Sequence, residues 1–326
     1  MRLRHKSYIW LKIVKANLPL LRRVRLLKKA PRVERYGDRA IVDPAAGNAF
    51  LYERVSSQQP VAAGKIGDTE LEVLVKYEQA GGDGDAFFRS ITEQGHELDL
   101  LHLNCGVFPK RQDVLVRWAE TYLEALSDLD MLGVWHNKGE EEIVEKYAPQ
   151  AMLTGITAVE PYYFDAPWTR ALAGKRVVVV TPFRDSILRQ WAEHRGEDLF
   201  PQNPDVLPEF DLVIVRSPFS AALSTPVHAD WHAALADMKE TIVGLDFNVA
   251  LIGAGAWSLP LCSFIRRDLG RSAMHLGGAI QILFGVRGRR WDRHVVISKL
   301  FNENWISPLG QERPKGSWRN DGGAYW

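Results

Sequence analysis

From residue 176 onward, short apolar runs alternate with segments of helical periodicity, and this alternation constrains the fold more than any other feature of the chain. Strands are expected at 176–180, 211–215, 248–252 and 272–275, and helices at 185–194, 229–241, 256–269 and 278–284. Such a succession is the pattern of βαβ units, hence an α/β fold with a mostly parallel sheet and flanking helices. Strands in such sheets are buried on both faces, and ligands gather beyond their carboxyl ends. The loops that matter are therefore 67–70, 181–184, 216–220, 253–258 and 275–278.

The first half is less regular. A strand at 61–66 ends in Gly67-Asp68, and Leu71, Leu74 and Val75 then recur with helical spacing across 69–77. A helix is expected at 112–126 and a strand at 131–135, with Gly81-Gly82-Asp83-Gly84-Asp85 as a flexible loop. Residues 31–48, rich in Pro, Gly, Asp and Arg, read as a linker, so the folded body is expected from about Asn48 to residue 301. Residues 302–326 read as an irregular extension that wraps the body, and no internal repeat is visible.

With 46% apolar and 25% charged side chains, the 326 residues have an ordinary globular composition. Cys105 and Cys262 form no ligand-spaced cluster, which argues against a disulfide scaffold or a structural zinc site and fits a reducing cytoplasm. No apolar run approaches the roughly 20 residues that span a bilayer. The net charge of +1 conceals an asymmetry, because residues 1–32 hold 11 of the 41 Lys and Arg and no Asp or Glu. Residues 1–35 read as a basic amphipathic helix. It either lies on an anionic membrane, placing a cytoplasmic protein at the inner face of the plasma membrane, or docks on the acidic remainder of the chain. The basic residues continue into no nucleic-acid module, so nucleic acid is not an expected partner.

Asp68 and Glu70 stand two residues apart at a strand-to-helix turn, an arrangement that suits Mg²⁺ or Mn²⁺ shared with substrate phosphates. The same pair would equally serve as helix cap and first-turn acid. Gly253 and Gly255 follow a strand and precede a helix, either to bring backbone N–H groups to a diphosphate or to let helix and strand pack closely. The third glycine of a dinucleotide fingerprint is absent. His275, Gly277 and Gly278 open another helix where phosphate oxygens and a donor group can be held, or where His275 is a buried structural side chain. Arg184 and Arg216 follow strands and are placed to offset phosphate charge. Glu160, ahead of Tyr162, Tyr163 and Phe164, is a candidate general base or acceptor-binding residue, with an aromatic cluster at the core edge as the plainer reading; Asp185 is a second base candidate.

Around these motifs the chain resembles the GT-D-type bacterial glycosyltransferases, which carry a Gly-Asp-Gly-Glu turn. Gly67, Asp68 and Glu70 are kept, with Lys65 just before, whereas Thr69 replaces the middle glycine. The likeness continues through Glu160-Pro161-Tyr162-Tyr163-Phe164, the 175–182 strand, Gly253-Ala254-Gly255-Ala256, and His275-Leu276-Gly277-Gly278 with Gln281, Phe284, Gly285, Gly288, Arg290 and Trp291. It covers roughly residues 55–300. The resemblance implies a Rossmann-like, doubly wound fold and transfer of a sugar from a nucleotide-sugar donor to a glycan or lipid-linked acceptor in surface polysaccharide synthesis. It implies a divalent metal at Asp68 and Glu70; Lys65, Gly67, Gly253, Gly255, His275, Gly277, Gly278 and Gln281 in the matching motifs, with Arg184 from the loop after the 176–180 strand, are the residues expected around the donor. Two other readings remain at this level, a nicotinamide-dependent oxidoreductase using the Gly253 turn and a non-catalytic sugar-nucleotide-binding subunit of an assembly system.

Overall fold

The structure is a computed structural model that describes residues 34–93, 96–218, 220, 227–320 and 322–326. The basic segment 1–32 lies outside the described residues. One nine-stranded sheet organises the molecule, in the order β1-β2-β5-β4-β3-β9-β8-β6-β7. The strands are β1 (Glu34–Tyr36), β2 (Arg39–Val42), β3 (Ala62–Lys65), β4 (Met131–Val134), β5 (Met152–Gly155), β6 (Arg176–Thr181), β7 (Asp211–Arg216), β8 (Val249–Ile252) and β9 (Ser272–His275). Every neighbouring pair is parallel except β1 with β2. The α/β, Rossmann-like doubly wound architecture expected from the sequence is the one observed.

The helices are α1 (Pro44–Ser56), α2 (Asp68–Gln79), α3 (Gly84–Thr92), α4 (His96–Cys105), α5 (Gln112–Leu126), α6 (Glu140–Tyr147), α7 (Arg184–Glu193), α8 (Gly196–Leu199), α9 (Trp231–Val243), α10 (Ser258–Arg267) and α11 (Ala279–Leu283). Because side chains alternate along a strand, the valine run of β6 serves two cores at once. Val178 and Val180 join the layer formed with α2, α5, α9 and α10, while Val177 and Val179 join the layer that holds α1, α7, α8 and α11. In α5, Leu115, Trp118, Ala119, Tyr122 and Leu126 recur at helical spacing and are all buried in the first layer.

Two expectations are corrected. The stretch expected as a linker, 31–48, is not one from Glu34 on: it supplies β1, β2 and the first turn of α1, whose start is fixed by Pro44 at its first position and by Asp43, whose side chain accepts from Ala45 N at 2.8 Å. The glycine-rich stretch at 81–85 is only partly a loop, because Asp83 caps α3 by accepting from Asp85 N and Ala86 N. Residues 302–326 do wrap the body as short 3-10 turns, pinned by Trp305 Nε1 to Leu199 O (3.1 Å), Asn320 Nδ2 to Leu103 O (3.2 Å) and Trp326 Nε1 to Glu312 O (2.9 Å). Among the described residues no helix is long and apolar enough to cross a membrane.

The strand order positions the site. From β3 the chain moves outward to β4 and β5, whereas β9 is reached from the opposite edge through β8. After β3 the chain enters α2 on one face of the sheet, and after β9 it enters α11 on the other. In open α/β sheets, ligands characteristically bind where loops leave neighbouring carboxyl ends toward opposite faces.

Candidate active site

β3 ends at Lys65, and Gly67 is the N-cap of α2 with φ −68° and ψ 149°, an extended conformation open to any residue. Thr69 lies inside α2, so the missing middle glycine asks nothing unusual of the backbone. Gly67 itself is required by space, since a Cβ there would stand 2.0 Å from Glu70 Oε2. The Glu70 carboxylate folds back over its own turn, where burial raises its pKa against the opposing hydrogen bonds from its own backbone N–H and the Cys105 thiol. Asp68 is half-buried, and its Oδ1 accepts from Asn137 Nδ2 at 3.0 Å.

Lys65 donates from Nζ to Glu160 Oε1 at 2.7 Å, with both side chains only 12% exposed, and its ammonium lies 5.4 Å from the centre of the Trp135 ring. The other Glu160 oxygen accepts from Tyr162 OH at 2.9 Å. Both oxygens of Glu160 are thus engaged, which suits a residue that orients Lys65 better than a free base. His275 closes β9 from the neighbouring strand. Burial, with Lys65 adding to it, lowers its pKa to about 4, so the ring is neutral. Its Nδ1 lies 3.4 Å from Ile252 O, which assigns the proton to Nδ1 and leaves Nε2 as an acceptor. Two groups join from the irregular stretch after α11. Arg290 stacks its guanidinium over the Trp291 and Tyr325 rings at 5.3 and 4.9 Å and acts electrostatically on Tyr162 and His294. His294 Nε2 lies 3.5 Å from Tyr163 OH, and burial lowers its pKa while Glu160 opposes the shift.

Other expected site residues serve the scaffold. A Cβ on Gly253 would meet Gly277 O at 2.7 Å, and Gly255, at φ +57°, would meet Cys105 O at 2.7 Å. Close packing demands these glycines. The turn's amides are also engaged, Gly253 N with Val180 O at 2.8 Å and Ala254 N with Ser258 Oγ at 3.0 Å. In the β9–α11 turn, Leu276 N and Gly277 N both bond Ile252 O, Gly277 has φ +58°, and Gly278 packs against Tyr325 and Trp291. Gln281 is buried, and its Nε2 donates to Tyr325 O. Across the sheet, Arg184 and Arg216 both pair with Asp185, at 3.2 and 2.6 Å. The hydrogen bond from Arg216 heads the causes that hold the Asp185 carboxyl below its usual range, which makes it a poor base. The chain matches no family model, no curated protein and no solved structure.

Among the described residues no group of three or more His, Cys, Asp or Glu side chains is placed to hold a metal ion. Mg²⁺ and Mn²⁺ do not need one, since they commonly take one or two carboxylates and complete their shell with phosphate and water. Asp68 fits that role. Glu70, folded onto Gly67 and buried, does not offer its oxygens in this arrangement. The residues that sequence reasoning missed are Trp135, Asn137, His294 and Tyr325, all in loops or short turns where no periodicity marks them; Arg290 entered only through the family resemblance.

Proposed function

We propose that this protein transfers a sugar from a nucleotide-sugar donor to a hydroxyl acceptor, with the donor diphosphate seated in the crevice between β3 and β9. The observation that carries the reading is the set of groups at the ends of β3 and β9: the Lys65 ammonium, held by Glu160 and acting on the neutral His275, Arg290 acting on the Tyr162 that bonds the same Glu160, and Asp68 in the first turn of α2. When the bond from the anomeric carbon to the diphosphate breaks, negative charge grows on the leaving group, and prepositioned cations stabilise that charge in the transition state. Lys65 is held for this by Glu160, and Arg290 by two aromatic faces. Mn²⁺ or Mg²⁺ bound through Asp68 would supply Lewis-acid stabilisation of the same leaving group. His275 Nε2 accepts from a donor hydroxyl, and Glu160 keeps Lys65 directed at the phosphates.

The nicotinamide reading loses its support at the Gly253 turn, whose first two amides already have partners inside the protein. The acceptor we assign to a glycan or lipid-linked glycan, reached beside an anionic membrane through the basic segment 1–32; deletion of that segment should reduce sedimentation with anionic vesicles at low salt without removing donor binding. The test of the central reading is nucleotide release from a panel of nucleotide sugars with Mn²⁺, using the full chain and its Lys65→Met variant. Donor-dependent release that is lost in Lys65→Met supports it. Absence of both release and binding with every donor overturns it.

A further inference from the structure

The corner between β4 and α6, Trp135-His136-Asn137-Lys138-Gly139, forms one wall of the site and is unusual in its backbone. His136 has φ +61°, one of two non-glycine residues with positive φ among the described residues, and Gly139 has φ +81° with Val75 Cγ2 only 2.5 Å from where a Cβ would stand. A chain holds such a shape only when its surroundings over-determine it.

What over-determines it is one carboxylate. Glu140, the first residue of α6, is completely buried. Its oxygens accept from Trp135 N at 2.9 and 3.1 Å, from Asn137 N at 3.1 Å and from Tyr36 OH at 2.9 Å. The Tyr36 ring also meets the His136 ring edge-on at 5.7 Å, and His136 Nε2 lies 2.9 Å from Glu34 Oε2, so the β1–β2 hairpin clamps the corner from outside. The two residues whose amides Glu140 holds are the two that reach the site. Asn137 Nδ2 donates to Asp68 Oδ1, and the Trp135 ring lies beside the Lys65 ammonium. A buried carboxylate costs desolvation, and a corner needed only to connect β4 to α6 would not require two site-facing side chains to hang from it.

We infer that Glu140 is a positioning residue: by clamping the Trp135 and Asn137 amides it sets the direction of the Asp68 carboxylate and the Lys65 ammonium. This rests on the reading of Asp68 and Lys65 as the donor-facing pair. Glu140→Gln keeps the shape but turns one acceptor oxygen into a donor that faces backbone N–H groups.

In Glu140→Gln, hydrogen exchange of the Trp135 and Asn137 amides is expected to quicken roughly tenfold while the Leu132 amide in β4 is unchanged, as local opening of one corner requires. In nucleotide release, Glu140→Gln and Asn137→Ala are each expected to raise the donor KM roughly tenfold with kcat less affected, and the double variant to lose less than the product of the two single losses, because both substitutions disturb the bond from Asn137 to Asp68. Corner amides as protected as in the unaltered protein, or losses from the two substitutions that fully add, overturn the assignment. If the unaltered protein releases nucleotide from no donor, the transferase reading falls, whereas the exchange measurement still decides whether Glu140 holds the corner. Should Glu140→Gln fail to fold, Tyr36→Phe removes a single donor and is expected to give the same exchange pattern at smaller amplitude, with no change there counting against the proposal.

Discussion

Two turns of this protein start from the same local chemistry and end differently. Both β3–α2 and β6–α7 join a buried parallel strand to a helix whose first turn carries acid, Asp68 and Glu70 in one and Asp185 in the other. The exposed amides and positive dipole of a helix start attract an anion in either place. At β6–α7 the protein supplies that anion itself: the Glu312 carboxylate, brought in by the tail, accepts from Asp185 N at 2.7 Å, Ser186 N at 3.2 Å and the Ser186 hydroxyl, while Arg184 and Arg216 are spent on Asp185. At β3–α2 the acid that meets the turn's amides is local. Glu70 folds over its own turn, Asp68 accepts from Asn137, and Lys65 is held by Glu160, so each charge there is oriented by a neighbouring loop rather than by the tail. The two turns thus differ in where their partners come from, the tail at one and the loops beside β3 at the other.

That contrast can be broken most directly at Asp68. Asp68→Asn should lower donor-dependent nucleotide release by about 100-fold or more, the scale of losing a preorganised charge partner, with the urea midpoint nearly unmoved. A variant that keeps full release places the chemistry elsewhere. Glu312→Ala should do the reverse. It strands two amides and a hydroxyl at the start of α7, at a cost of about 2 to 3 kcal/mol in urea unfolding, while release under conditions where the variant is folded stays near that of the unaltered protein. Loss of release without loss of stability would make the closed turn the functional one.

His275 gives a smaller effect with a definite sign. Its folded pKa, about 4, lies below the 6.5 of an unhindered imidazole, so the unfolded chain binds the proton more readily between those values. Stability is therefore lost as pH falls from 6.5 toward 4, by about 2 kcal/mol at pH 5. Denaturation midpoints between pH 7 and 5 should slope less steeply in His275→Gln than in the unaltered protein, and equal slopes would mean that another group dominates. Smallest of all, Gly67→Ala should cost about 1 kcal/mol, because the backbone accepts alanine but Glu70 must swing off its turn. If that variant also shows a stronger Mn²⁺ requirement in nucleotide release, the displaced Glu70 has begun to act as a ligand beside Asp68.

The residues of this chain announce their elements unevenly. β6 to β9 were legible because strands buried on both faces must be apolar throughout, and the helices between them because their apolar residues recur at helical spacing. Residues 34–48 read as a linker because β1 and β2 are short and partly exposed, although Asp43 and Pro44 carry the start signal of α1. At the site, Lys65, Asp68, Glu70, Glu160 and His275 were each visible as chemistry at the end of a strand or beside an aromatic run. Their roles were not, because a role depends on the partner.

By itself the sequence determined the α/β class, the ends of the later strands, and the residue types available there, since periodicity and strand ends are local properties of a chain. Only the tertiary structure decided that Glu160 holds Lys65 across 95 positions, that Asn137 holds Asp68 across 69, and that Glu312 reaches 126 positions back to fill the rival turn. Hydrogen bonds and ion pairs act over a few ångströms of space whatever the separation in sequence, so whether a charged group is free or already satisfied is settled by the fold alone.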